Sequence, residues 1–287
     1  MLAIYKKELR GYFTSIMGYI VIGLLMAIIG LYYMGTNLTG GSSVFGYTLG
    51  SVSFILIIVI PLLTMRSLAE EQKQKTDQLL LSSPISIGSI VVGKFLAVAT
   101  VFTIPVLVSC TMPLVLSTYG KVSMGAAYVA IFAFWLLGLV MISIGLVISS
   151  LTDNQIIAAV LGLGVNVLIF LMSSIASMMS QSSTSSLVGI TVLICIAALL
   201  LYLFVKNIAV AVIPAVIAEI VLVVVYFVKS GLLEGALAKF LTGISFYSRF
   251  SDFIYGAFDL TSILYYVTFI GFFLYVTVQI IEKRRWN

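Results

Sequence analysis

Long uncharged apolar runs alternate with short polar breaks along this chain. A helix needs about 20 mostly apolar residues to cross a bilayer. Eight stretches qualify: 16–35, 47–64, 95–117, 126–149, 156–178, 187–205, 208–228 and 262–281. The pattern predicts an all-α integral membrane protein with about eight transmembrane helices. The first run follows lysines, as a signal peptide's would. It is too long for such a leader, and no small-residue cleavage site follows closely, so it reads as a retained span.

The breaks carry their own patterns. In residues 1–15, Tyr5, Leu9, Tyr12 and Phe13 recur at helical spacing, with Lys6, Lys7, Glu8 and Arg10 between them. That predicts an amphipathic helix lying in the membrane interface. In the break at 229–261, Leu232, Leu233, Ala236, Leu237, Phe240 and Leu241 form a second apolar stripe, which predicts a short helix on the other leaflet. The break at 65–84 is a charged island. Six charges fall between Arg66 and Asp77, and Arg66–Glu70, Glu71–Lys75 and Lys73–Asp77 are each four apart. Such pairs support a helix by roughly 0.2–0.5 kcal/mol each. Ser82-Ser83-Pro84 is expected to end it, because proline lacks a donor and restricts the residue before it.

Composition agrees with lipid as the main solvent. Of 287 residues, 62% are hydrophobic and 9% charged, against about 25% charged in an ordinary soluble domain. The net charge of +5 is explained by placement. With the N-terminus inside, Lys6, Lys7, Arg10, Arg66, Lys73, Lys75, Lys94, Lys206, Lys283, Arg284 and Arg285 fall on the inner side. Only Lys121, Lys229, Lys239 and Arg249 fall outside. This positive-inside bias puts both termini in the cytoplasm and assigns the basic ends to the lipid leaflet, not to nucleic acid. Histidine is absent, which removes the commonest metal ligand and general base. No metal set or catalytic residue is expected.

Individual residues add candidates. Gly88–Lys94 has P-loop spacing, but Phe95 stands where the motif needs Ser or Thr, and no strand precedes it. Lys94 then reads as a side chain snorkelling at the start of the third span. Glu219 is the one acid well inside an apolar run. It is either a pathway residue or a neutral acid bonded to a hydroxyl of a neighbouring span. Asn166, beside Gly162 and Gly164, is a second pathway candidate or an interhelical hydrogen bond at a close contact. In the turn Thr152-Asp153-Asn154-Gln155, Thr152 or Asp153 can cap the helix that follows.

The island, read as Glu70-Glu71, Lys73, Thr76, Leu79-Leu80-Leu81 and Ser82-Ser83-Pro84, resembles the first cytoplasmic loop of type-2 ABC exporter permeases. Lys7–Ser15 with Gly18-Tyr19-Ile20 resembles that family's N-terminal helix and first span, and Ser150–Gln155 the turn before its fifth. Phe246, Phe250, Asp252-Phe253, Gly256, Asp259-Leu260, Tyr265, Glu282, Arg284, Arg285 and Trp286 resemble the gliding-motility-type subgroup.

The resemblance implies a single permease domain with a six-span core and an added helix pair at 180–230. It sits in the bacterial cytoplasmic membrane and does not itself hydrolyse ATP. It implies a coupling helix that docks on a partner ABC ATPase, which binds ATP and magnesium, through Glu70, Glu71, Lys73, Thr76 and Asp77. Asp153, Asn154 and Gln155 form a second inner turn. Phe250, Asp252 and Asp259 are candidates for an outer gate. Other implied partners are a second copy or a homologous permease, and an extracytoplasmic accessory protein. A secondary transporter would prefer several intramembrane charges and inverted halves. An intramembrane enzyme would need paired carboxylates or a metal set. A non-transporting anchor would not need the island.

Overall fold

A computed structural model describes residues 1–76, 85–179, 182–205, 207–228 and 230–286. The chain is helical throughout the described residues, and it divides into two compact units. Met1–Phe170, with the C-terminal part from Arg249, makes the first; Leu171–Ser248 makes the second.

The first unit begins with α1 (Leu2–Thr14). Ser15 is extended and turns the chain into α2 (Ile16–Tyr33), which runs on into a π-helical turn at Met34–Thr39. Helices α3 (Gly46–Ser53) and α4 (Leu56–Lys73) form a pair bent by 59°. Ser51 and Ser53 turn back onto the carbonyls of Tyr47 and Gly50 just before the bend, which loosens the helical ladder there. Next come α5 (Ile87–Ser109), α6 (Met112–Ser117) and α7 (Met124–Leu151). Helix α8 (Gln155–Met178) passes into the second unit. Helix α12 (Phe246–Ile254) returns the chain, and α13 (Leu260–Trp286) ends it.

The core of this unit is α7, packed against α4, α5 and α13. Small residues let the helices approach closely, the usual device where lipid supplies no hydrophobic drive between helices. A Cβ on Gly145 would lie 2.2 Å from Thr64 Oγ1, and one on Gly138 2.2 Å from the Phe102 ring. Trp135 Nε1 donates to Thr103 Oγ1 at 2.9 Å, which satisfies both polar groups inside the α5–α7 contact.

In the second unit, α9 (Ser183–Val205) and α10 (Ile208–Val228) pack on each other, and α11 (Ala236–Ile244) packs on α9. Leu237 and Leu241 are buried with Ala176, and Leu237 presses on Gly189. The expected leaflet-facing stripe therefore faces its own unit at these positions, and Phe240 is exposed.

Among the described residues, five helices are long and apolar enough to cross a membrane, or six if the bent pair counts as one span. The expected added pair falls on α9 and α10, whose described apolar stretches, Ser183–Leu199 and Val212–Val228, are shorter than those candidate spans.

Candidate functional site

The charged island is not a separate helix. Arg66, Glu70, Glu71 and Lys73 sit on the last turns of α4, continuous with its apolar part. Helix α4 ends at Lys73, so the expected helix is broken there; its expected stop at Ser82-Ser83-Pro84 lies outside the described residues. Thr76 N–H donates to Glu71 O and Lys75 N–H to Gln72 O, the two bonds of a Schellman cap. Lys75, with φ of 55°, occupies the left-handed position where glycine is usual. Asp77 and the residues up to Pro84 lie outside the described residues.

One side of this helix end is buried in a ring of charge. Lys94, expected to snorkel, is 1% exposed. Its ammonium donates to Glu8 Oε1 at 2.9 Å and to the Ser67 carbonyl at 2.7 Å, and it pairs with Glu71 Oε2 at 2.9 Å. Those three contacts use all three of its donors. Lys7 donates to the other Glu71 oxygen at 2.9 Å and lies 3.8 Å from Glu8. The ring is neutral, two cations against two carboxylates, so burial is compensated. Burial works against the charge on Lys7, but the hydrogen bond and field of Glu71 outweigh it and raise its pKa above the ordinary lysine value.

The sequence pattern explains why these groups meet. Ile4, Glu8 and Tyr12 repeat every four residues and share one face of α1. Ile4 sits against Gly93, and Tyr12 donates to the Leu63 carbonyl at 3.0 Å. Glu8 is thus carried in between two apolar anchors. Of the expected stripe of Tyr5, Leu9, Tyr12 and Phe13, only Tyr12 lies buried on this face; Tyr5, Leu9 and Phe13 are partly covered. Sequence alone does not single out Glu8 and Lys94 as partners; the signal they carry is a lone acid in a basic helix and a lone lysine in an apolar one.

The end of α7 closes the site from another side. Ser149 Oγ accepts from Leu68 and Ala69 N–H at 3.1 Å each and donates to the Met65 carbonyl at 3.2 Å. Gln72 Nε2 donates to the Ser150 carbonyl at 3.2 Å. The island and the turn at 152–155, separate in sequence, are therefore neighbours. In that turn, Asn154 and not Thr152 or Asp153 caps α8: its Oδ1 accepts from Ile156 N–H at 2.9 Å, and Thr152 Oγ1 accepts from Asn154 N–H. Asp153 is exposed, and Gln155 is the first residue of α8.

The remaining candidates are dispersed. Glu70 pairs with Arg66 at 2.8 Å, whereas Glu71 pairs with Lys7 and Lys94 in place of the expected Lys75. Lys73 is exposed, and the Thr76 hydroxyl donates to the Glu71 carbonyl at 3.4 Å. Phe250 is buried against Phe134, and Asp252 is exposed. Asp259 caps α13 through Thr261 and Ser262 N–H, at 3.0 and 3.1 Å, and accepts from the Ser262 hydroxyl. That hydroxyl, together with the amides, holds its carboxyl below the usual aspartate value.

Asn166 is buried near the Gly162–Pro61 approach, and its Oδ1 has no partner among the described residues. In the second unit Thr191 Oγ1 donates to Glu219 Oε1 at 2.7 Å. The P-loop look-alike Gly88–Lys94 is helical, with no loop to cradle a phosphate. Among the described residues no cluster suits a metal ion.

The site is thus a structural junction: one helix end tied to α1 and α5 by charge and to α7 by hydrogen bonds. No curated protein matches the chain. The family model for ABC-2 family transporter proteins matches residues 2–241, and the chain, a multi-pass membrane protein, belongs to that family as a transporter permease.

Proposed function

We propose that this chain is the permease subunit of an ATP-driven exporter, energised by a separate ABC ATPase that binds ATP and magnesium. The observation that carries this reading is the junction at the end of α4. In the proposed topology the junction is cytoplasmic and both termini lie inside the bacterial cytoplasmic membrane. The exposed Lys73 at the tip and the half-buried, Arg66-paired Glu70 one turn before it contact the ATPase. The turn at Asp153 and Asn154 extends that surface, and Asp77, outside the described residues, is a further contact in this proposal. Glu71, bound into the ring, transmits motion and does not meet the partner.

A push on the tip reaches α1 and α5 through Lys94 and α7 through Ser149. Packed interfaces of this kind respond as coupled bodies, not as independently flexing parts. The spans of two permease copies, or of this chain and a homologue, then alternate between inward- and outward-accessible forms. The added pair α9–α10 completes eight spans, and Phe250, Asp252 and Asp259 belong to the outer gate region.

The test separates docking from transmission. Charge reversal at Glu70 and Lys73 should abolish co-purification with a co-expressed ABC ATPase from the same genome. Lys94→Met should retain association and lose permease-stimulated ATP hydrolysis. Association that survives the reversals would sink the docking claim. Transport that continues without any ATPase would favour a secondary transporter.

A further inference from the structure

Lys6 and Arg10 lie one turn apart on α1, and both are exposed. Among the described residues neither has an ion pair, whereas Lys7 between them is held by Glu71. Like charges four apart on a helix repel, so an anion bound between them would stabilise this turn. The anion must also tolerate apolar company. With Leu9 and Phe13 these cations line a surface trough of about 630 Å³. The Phe13 ring meets Tyr19 edge-on at 5.9 Å across the Ser15 turn. Beyond it the exposed face of α2 continues with Ile16 and Ile20, 75% and 53% exposed. A basic turn leading into an exposed apolar helix face matches a phosphate group attached to a hydrocarbon chain. It does not match a soluble anion or a nucleic acid.

We propose that Lys6 and Arg10 bind the headgroup phosphate of an anionic phospholipid, whose acyl chain lies along Ile16 and Ile20. This rests on the reading above that α1 lies at the membrane surface. Because Lys7 belongs both to the trough and to the ring, the bound lipid sits directly beside the junction that α1 helps to hold.

The experiment is native mass spectrometry of the full chain with equal amounts of phosphatidylglycerol and phosphatidylcholine. The wild type should retain phosphatidylglycerol preferentially, and the preference should fall as salt rises. Lys6→Gln with Arg10→Gln should lower it about 30-fold, at roughly fivefold for each basic residue near an anionic surface. The exchange Lys6→Arg with Arg10→Lys, which keeps both charges, should retain it.

An unchanged preference in the glutamine variant would overturn the proposal. So would equal competition by inorganic phosphate, which would mark a soluble-anion site. So would loss of ATPase association with lipid preference intact, which would mark a protein-facing patch. The wild-type lipid preference is independent of the ATPase, so a failed docking test would leave this inference standing.

Discussion

Lys94 and Glu219 are both single charges set in apolar helices, and their surroundings are opposite. Lys94 has two carboxylates at 2.9 Å, a carbonyl at 2.7 Å and almost no exposed surface. Glu219 has one hydroxyl at 2.7 Å and remains partly exposed on its unit. Hydropathy ranks Glu219 as the anomaly, because it stands deepest in an apolar run. Packing ranks Lys94, because the helices around it supply its counter-charges. The difference teaches that isolation in sequence and burial in space are separate properties. A charge is structurally committed when several elements converge on it.

The sharpest way to break this contrast is Lys94→Met. It removes the centre of the ring and leaves Glu8 and Glu71 largely buried, with only Lys7 beside them. Removing one partner of a buried pair costs about 3–5 kcal/mol. Thermal unfolding in detergent should show a large drop. Adding Glu8→Gln and Glu71→Gln should restore much of it, since uncharged partners no longer need the ammonium. A Lys94→Met protein as stable as wild type would mean that the ring is not formed.

How much of this was legible in sequence follows from what each signal measures. Apolar run length reports where lipid is the solvent, and helices appear at each of the eight expected runs. It does not report which side of a helix meets another helix. Nor does it report where a helix breaks inside a charged segment. The charge spacing runs on unbroken to Asp77, but α4 stops at Lys73, because Lys75 adopts a left-handed conformation with no local residue preference to announce it. Glu8 and Lys94 are 86 positions apart, so no periodicity could pair them. The junction at Ser149 was invisible because a buried serine reads as one more small residue in a transmembrane run.

Ser149→Ala is the next largest effect. The substitution keeps the packing and removes the oxygen that serves Leu68 and Ala69 N–H. A buried donor left without a partner costs about 1–3 kcal/mol. Hydrogen exchange should speed up at Leu68 and Ala69 while the amides of α1 stay protected, because the ring is untouched. Lys75→Gly should act in the opposite direction and more weakly. It relieves a left-handed side-chain conformation, gaining about 1 kcal/mol, read as a raised unfolding temperature with the ring intact.

Lys7 gives a smaller, pH-dependent effect. Its pKa is raised in the folded protein, so its contribution is complete below the unfolded value of 10.5 and fades as pH climbs through the folded value. Lys7→Met should therefore lower stability slightly across the neutral region and remove the alkaline decline by the same amount; the effect is small because the side chain is 62% exposed and solvent screens the pair.

Glu219→Gln should have the least effect on stability, and that makes it the most informative about function. Glutamine keeps an oxygen that can accept from Thr191, so the hydrogen bond between α9 and α10 survives and the unfolding temperature should move by less than the equivalent of about 0.5 kcal/mol. Transport can then be compared between two equally folded proteins. An unchanged rate and pH profile would make Glu219 a helix-pairing group, with Lys94 the charge on which the mechanism depends. A flattened pH profile would place Glu219 on the cargo or proton path and make the contrast one between a charge that holds the fold and a charge that works.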